Sequence, residues 1–119
     1  MPPDPPRDDL APLADMLRYA REVADRVANA SYDDYQADAD FRLATERRIE
    51  IIGEAARQVS TACKQAHPEV PWRAIIAQRH ILAHDYGTVI DEKVWRVATQ
   101  HIPALINQLA RLVPDPPPH

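Results

Sequence analysis

Apolar residues recur every three or four positions along most of this chain, which is the spacing of one face of a helix. The pattern predicts four main helices, at about residues 8–28, 39–66, 71–85 and 91–113. The positions expected to face inward are Leu10, Leu13, Leu17, Ala20, Ala24 and Val27, then Phe41, Ile49, Ile52, Ala55, Ala56, Val59 and Cys63, then Trp72, Ile75, Ile76, Leu82 and Ala83, and finally Val94, Trp95, Ala98, Ile102, Leu105, Ile106, Leu109 and Leu112. Four amphipathic helices without a strand pattern indicate an all-α bundle of up-and-down helices.

Prolines and glycines divide the chain into a domain and two tails. Residues 1–7 and 114–119 are proline-rich and are expected to be disordered tails, since proline does not fit a helix interior. Residues 8–113 then form one helical domain, in which residues 31–37 are a polar connection. Gly53 indicates a close approach of two helices, and Pro103 should remove one backbone hydrogen bond and bend the fourth helix.

Composition limits the kinds of function that the chain can have. Its 119 residues suffice for one modest core, and its net charge of −4 does not suit a protein that coats nucleic acid nonspecifically. Any contact with RNA must therefore be local. We expect a cytoplasmic protein without a membrane span, because there is neither a run of about 20 apolar residues nor a secretory signal. The single Cys63 is expected to pack as a small apolar residue.

The sequence RHILAHDYG, which begins at Arg79, is the most unusual part of the third helix. The apolar stripe that starts at Trp72 passes through position 79 and continues to Tyr86. At position 79 a guanidinium is costly unless it meets an anion or opens into a cleft. His80, His84 and Tyr86 follow within seven residues. Histidine transfers protons near neutral pH and arginine binds phosphate oxygens through paired hydrogen bonds, so these residue types suit phosphodiester cleavage.

Helix geometry sets a condition on that chemistry. At about 100° per residue, Arg79 and Tyr86 lie nearly in line, whereas His84 is about 140° from Arg79. The two residues can meet at one ligand if the helix ends or distorts near His84. They can also meet if two copies of the helix face each other.

Each of these residues also has a purely structural interpretation. Arg79 could pair with a carboxylate such as Glu50 or Glu54, and His84 could cap the helix or lie in the core. Tyr86 could be a core anchor with a hydrogen-bonded hydroxyl.

Other polar residues are equally open to two interpretations. His80 could simply be an exposed helix residue. Together, His80 and His84 also have the four-residue spacing of two metal ligands on one helix. We favour no metal, because the nearest third ligand, Asp85, points about 100° away from His84. His67 and His101 are expected to be structural or exposed. The arginines that could extend a path for RNA, or form a solvated face, are Arg47, Arg48, Arg57 and Arg73.

The segment that begins at Arg79 resembles the signature of HEPN-domain ribonucleases, which is an Arg, a polar residue, a few further positions and then a His. Arg79, His84 and Tyr86 also match the narrower signature of the HepT-like toxins, which is Arg, four to six residues, His, any residue and Tyr. Three flanking segments are similar to the family as well. They are residues 48–57 (RIEIIGEAAR), residues 71–77 (PWRAIIA), and Val94-Trp95 with Ile102-Pro103. The likeness covers roughly residues 10–112.

The resemblance implies a four- or five-helix bundle that dimerises, with two motifs facing a shared cleft. It implies metal-independent RNA cleavage without a cofactor, by a toxin. His84 would be the main acid–base residue, Arg79 the cation that stabilises the phosphate, and His80 an assistant. The implied partner is an antitoxin, a nucleotidyltransferase of the MNT type, which would transfer AMP onto Tyr86 and silence the nuclease.

Two positions depart from the common pattern of the family. His80 stands where many members have Asn, although the wider HEPN group also has His there. Gly87-Thr88 follows Tyr86, where many relatives have an aromatic residue and then Gly.

The alternative function is a non-catalytic helical binding module that partners a nucleotidyltransferase.

Overall fold

The computed structural model of the protein describes residues 7–84 and 88–114, and for residues 7, 79–84, 88 and 89 it describes the backbone alone. Tyr86, most of the N-terminal tail and residues 115–119 therefore lie outside the described part of the chain. The predictions made for them stay predictions.

Helices account for nearly all of the described chain. In order they are α1 (Arg7–Val27), α2 (Tyr32–Ala37), α3 (Ala39–Gln58), α4 (Thr61–Ala66), α5 (Trp72–His84), α6 (Thr88–Arg96), a π-helical turn (Val97–His101) and α7 (Ile102–Ala110). No strand occurs among the described residues, and the predicted all-α class is confirmed. The four predicted helices correspond to α1, to α3 with α4, to α5, and to α6 continued through the π turn into α7.

The long helices bury one continuous core. α1 packs along α3, α3 packs along α5, and α7 packs along α1. All the second-helix positions predicted to face inward are buried, including Cys63, which is 2% exposed. Burial raises the pKa of the Cys63 thiol, as expected for a cysteine that packs as an apolar side chain. The core of α1 also contains Met16 and Val23, which the predicted stripe left out.

The connection predicted at residues 31–37 contains a short helix, α2. Ser31 caps it, because its hydroxyl accepts the Asp34 N–H at 3.1 Å while the Asp34 carboxylate accepts the Ser31 N–H at 2.9 Å. Tyr35 is fully buried, with its ring 5.1 Å from Phe41 and 5.3 Å from Trp95. Tyr35 therefore fixes α2 against α3 and α6, a role that the polar composition of the segment did not indicate.

The predicted second helix is broken near its end, and this boundary was wrong. α3 ends at Gln58, Val59 takes an extended conformation, and Ser60 caps the separate helix α4 by accepting the Cys63 N–H at 3.1 Å. The cause lies on α1, where the buried carboxylate of Asp9 accepts the Ser60 N–H at 2.8 Å and the Ser60 hydroxyl at 2.6 Å. These bonds hold Ser60 out of the helix.

Pro103 interrupts the fourth predicted helix, as expected from its missing N–H. The interruption takes the form of the π turn, in which the Ile102 N–H donates to the carbonyl of Val97, five residues earlier. Pro103 itself lies in the first turn of α7, where no N–H is required. None of the described helices is long and apolar enough to cross a membrane.

Candidate functional site

The helix that carries the candidate catalytic residues, α5, is fixed at its beginning by a buried anchor. The Pro71 carbonyl accepts the Ile75 N–H at 3.0 Å, which places Pro71 immediately before the first turn. The indole N–H of Trp72 donates to the carbonyl of His67 at 3.0 Å in buried surroundings. His67 is itself only 2% exposed, in agreement with the predicted structural role. The start of α5 is thereby tied to the loop that precedes it.

The candidate residues stand at the other end of α5. Arg79, His80 and His84 all lie within the helix, and His84 is its last residue. The side chains of these three residues and the whole of Tyr86 lie outside the described part of the structure. What the structure defines for the site is therefore the backbone position of Arg79, His80 and His84, and the surroundings of the helix that carries them.

The backbone register separates Arg79 from His84. Arg79 is within about 20° of Trp72 around the helix, and Trp72 is 8% exposed and packs into the core. His84 is within about 20° of Arg73 and of Ala77, both of which are exposed. A straight α5 therefore puts position 79 on the helical line of the buried Trp72 and position 84 on the line of the exposed Arg73 and Ala77.

Arg73 is the predicted RNA-binding arginine on the same helical line of α5 as His84. It is exposed, and among the described residues it enters no ion pair. Eleven residues separate it from His84, which is about 16 Å of helix rise. An extended RNA strand lying along this helical line of α5 would pass both residues.

The other three arginines predicted for an RNA path lie on α3, and each takes part in an ion pair. Arg47 has its Nη1 3.4 Å from Oε1 of Glu50. Arg48 has its Nε 3.1 Å from Oε1 of Glu22 on α1, and 29% of its side chain is exposed. Arg57 has its Nη1 3.9 Å from Oε1 of Glu54, and 55% of its side chain is exposed. Arg48 therefore links two helices of the core, whereas Arg57 takes part in a surface ion pair of small energetic weight.

A groove between α3, α5 and the α6–α7 segment opens beside the candidate site, and we refer to it as the α5 groove. Its volume is 260 Å³. The residues that line it are Ile49, Ile52, Pro71, Ala74, Ile75, Gln78, Val97, His101, Ile102 and Leu105. Sequence reasoning missed this groove, because it considered His101 only as structural or exposed and did not consider Gln78. No local signal connects these two residues, which come together only when α5 packs beside the π turn.

A cluster of titratable groups near α2 and α6 has the wrong character for binding phosphate. Burial raises the pKa of Tyr35 beyond its usual range, and the charges of Glu46 and Asp91 raise it further. The pKa of Glu46 is also raised, by burial first and then by Asp91. Carboxylates around a buried phenol repel anions, so this region does not compete with α5 as the site for RNA.

The all-α bundle, together with the Arg and His spacing on α5, is consistent with the HEPN-like class of helical domains. The family profile described as Ribonuclease HepT-like matches residues 16–112. This chain belongs to the HepT-like ribonuclease family, and the resemblance noted in the sequence is confirmed at that level.

Individual relatives agree with the family match. The protein named "Putative RNase MJ1380" of Methanocaldococcus jannaschii is 30% identical over 103 residues, which cover 87% of this chain and 94% of the relative. "Probable ribonuclease HepT" of Thermococcus cleftensis is 29% identical over 106 residues, covering 89% and 94%. "Putative RNase TTE0752" of Caldanaerobacter subterraneus subsp. tengcongensis is 30% identical over 101 residues, covering 85% and 90%. No solved structure matches the chain significantly.

Proposed function

We propose that this chain is a metal-independent endoribonuclease whose active site is built on the C-terminal half of α5. The observation that carries the proposal is membership in the HepT-like ribonuclease family, together with the position of Arg79, His80 and His84 in the last two turns of that helix. His84 is the last residue of α5 and is on the same helical line as the exposed residues Arg73 and Ala77, which supports a role in contacting RNA.

In this proposal the reaction is an internal transfer at phosphorus. His84 takes the proton of the ribose 2′-hydroxyl, whose oxygen attacks the neighbouring phosphorus, and the bond from phosphorus to the 5′-oxygen breaks. His80, in its protonated form, returns a proton to the leaving 5′-oxygen. Arg79 stabilises the negative charge that grows on the non-bridging oxygens through paired hydrogen bonds. The products are a 2′,3′-cyclic phosphate and a 5′-hydroxyl.

The register of α5 supports a working unit of two copies. One straight helix separates Arg79 from His84 by about 140°. A dimer would overcome this separation if the helical line of Arg79 in one copy and the helical line of His84 in the other border the same cleft. A dimer with one shared cleft therefore gathers the groups that a single helix keeps apart.

We further propose that the nuclease is the toxin of a toxin–antitoxin pair, and that an MNT-type nucleotidyltransferase is its partner. The partner would transfer AMP from ATP to the phenol oxygen of Tyr86, with pyrophosphate as the leaving group. Tyr86 is two residues after His84 in sequence. A charged nucleotide there would occupy the approach to the site and repel the phosphates of RNA.

The test uses the full-length protein, purified without its partner, and single-stranded RNA in the presence of a chelator. The wild type should cut RNA to fragments ending in a cyclic phosphate. His84→Ala and Arg79→Ala should each slow cleavage by about 100-fold or more. The matched control is Arg111→Ala, since Arg111 is an exposed arginine at the end of α7, and it should cut at the wild-type rate.

Expression of the chain alone separates the nuclease from a non-catalytic binding module. The nuclease should arrest growth when its partner is absent, and His84→Ala should abolish the arrest while the variant remains folded. Cleavage that persists at the wild-type rate in a folded His84→Ala protein would exclude the assigned mechanism. The binding module predicts neither cleavage nor arrest.

A further inference from the structure

The α5 groove has an apolar floor and a polar rim. The floor consists of side chains with at most 5% exposure, namely Ile49, Ile52, Ile102 and Leu105. At the rim stand Gln78, which is half-buried, and His101, which is exposed. Among the described residues that line the groove there is no arginine, lysine, aspartate or glutamate. Such a lining suits a neutral, flat ligand with polar edges.

The size of the α5 groove limits its occupant. Its 260 Å³ lies just below the roughly 300–1,000 Å³ of pockets that enclose drug-sized ligands. A single aromatic ring system fits such a volume, whereas a peptide helix or a whole nucleotide chain does not.

The two polar residues at the rim offer the contacts by which proteins recognise an unpaired base. The amide of Gln78 provides both donors and an acceptor for the edge of a base. The imidazole of His101 provides a flat surface on which a base can stack. The π turn that ends at His101 places this residue at the groove, and π turns often occur at functional positions.

The position of the α5 groove relates it to the cleavage chemistry. Gln78 directly precedes Arg79 in the chain, and the groove residue Ile75 is one helical turn before Arg79, within about 40° around the helix. A phosphate bound at Arg79 would therefore bring one of its own nucleosides to the mouth of the groove. The charged backbone of the RNA stays outside, and only the base enters.

We propose that the α5 groove is a subsite that binds one base of the RNA substrate, the base of a nucleotide adjacent to the scissile phosphate. This inference rests on the proposed ribonuclease function and deepens it, since it assigns the groove to substrate selection. The base inserts over the apolar floor, is read at its edge by Gln78 and is stacked by His101. The groove then determines the nucleotide preference next to the cut.

The test begins with an RNA oligonucleotide whose cut site has been mapped with the wild-type protein. A 2′-deoxy nucleotide at the cut makes the oligonucleotide uncleavable, and binding is measured by fluorescence anisotropy. In a second oligonucleotide the base on one side of the cut is removed, and in a third the base on the other side. For wild-type protein we expect one of the two abasic sites to weaken binding by about tenfold.

Filling the α5 groove should remove that difference. Ala74 is exposed and lines the groove, so Ala74→Trp blocks it without disturbing the core. This variant should bind the intact oligonucleotide about tenfold more weakly and the two abasic oligonucleotides equally well. The matched control is Ala104→Trp, at an exposed alanine of α7 outside the groove, which should behave as the wild type. Gln78→Ala and His101→Ala should flatten the nucleotide preference of cleavage even if the larger substitution misfolds.

The outcomes distinguish the inference from the function on which it rests. If the wild type neither cuts nor binds RNA, the ribonuclease proposal fails. If the wild type cuts RNA but Ala74→Trp keeps the full abasic effect and the wild-type preference, the base subsite alone is refuted. If Ala74→Trp converts a dimer to monomers in sedimentation, the groove is a contact between copies and the base subsite is again refuted.

Discussion

The hydrogen bonds between Asp9 and Ser60 give the sharpest prediction about stability. Asp9 lies in the first turn of α1 and is 3% exposed. Its two carboxylate oxygens accept from the backbone N–H and the hydroxyl of Ser60, at 2.8 and 2.6 Å. The partners are 51 residues apart in sequence, so these bonds join the start of α1 to the break between α3 and α4. The perturbation is Asp9→Ala, with Ser60→Ala as its partner in a double-mutant cycle.

The expected magnitude follows from the number and type of the bonds. A hydrogen bond to a charged group contributes about 1.5–3 kcal/mol, and an unpaired buried donor adds to the loss. Relief from burying the carboxylate offsets part of this. We therefore expect Asp9→Ala to lower the free energy of unfolding by about 3 kcal/mol and Tm by about 10 °C. Ser60→Ala should cost about 2 kcal/mol, because it also removes the cap on the Cys63 N–H.

The assay is urea unfolding of the wild type, both single variants and the double variant, followed by circular dichroism. The two substitutions share one hydroxyl–carboxylate bond, so their effects should differ from additivity by about 1–1.5 kcal/mol. Asp8→Ala is the matched control, since Asp8 is an exposed carboxylate in the same first turn, and it should cost less than about 0.5 kcal/mol. The reasoning is refuted if Asp9→Ala costs no more than Asp8→Ala, or if the Asp9 and Ser60 effects simply add.

Three further predictions concern charged residues. Burial and the charge of Asp91 raise the pKa of Glu46, so the folded state disfavours the ionised carboxylate. Glu46→Gln should therefore raise Tm at pH 7. The gain should vanish at about pH 3.5, where the carboxyl is protonated in both the folded and the unfolded state. Thermal melts at the two pH values check this, and a gain that persists in acid would contradict it. Arg73→Ala should weaken binding of single-stranded RNA and lower the slope of affinity against salt by about one, measured by salt titration. Arg48→Ala should instead lower stability by about 0.5 kcal/mol, since it breaks the pair with Glu22; an equal loss of RNA affinity in both variants would contradict the different roles assigned to the two arginines.

Features that depend on neighbours in sequence were predictable from the chain alone. The apolar spacing predicted both ends of α1 and of α5 to within one residue. This was possible because the buried face of a helix depends on the spacing of side chains that are close in sequence. The interruption of the fourth predicted helix was also predictable, because Pro103 lacks a backbone N–H. The spacing of Arg79, His84 and Tyr86, together with the three flanking segments, indicated the family, since each of these is a local pattern in the sequence.

Features that depend on residues distant in sequence were decided only by the tertiary structure. The end of α3 is one of them, because the helical pattern continues through Val59 and is stopped by a carboxylate on α1. The α5 groove is another, since its floor comes from α3 and α7 and its rim from α5 and the π turn. The sequence by itself therefore determined the four main helical segments, the family to which the chain belongs and the residue types that could perform the chemistry. Packing decided where helices break, which arginine pairs with a carboxylate on another helix, and which apolar and polar side chains line the α5 groove, because each of these requires contacts that no local spacing encodes.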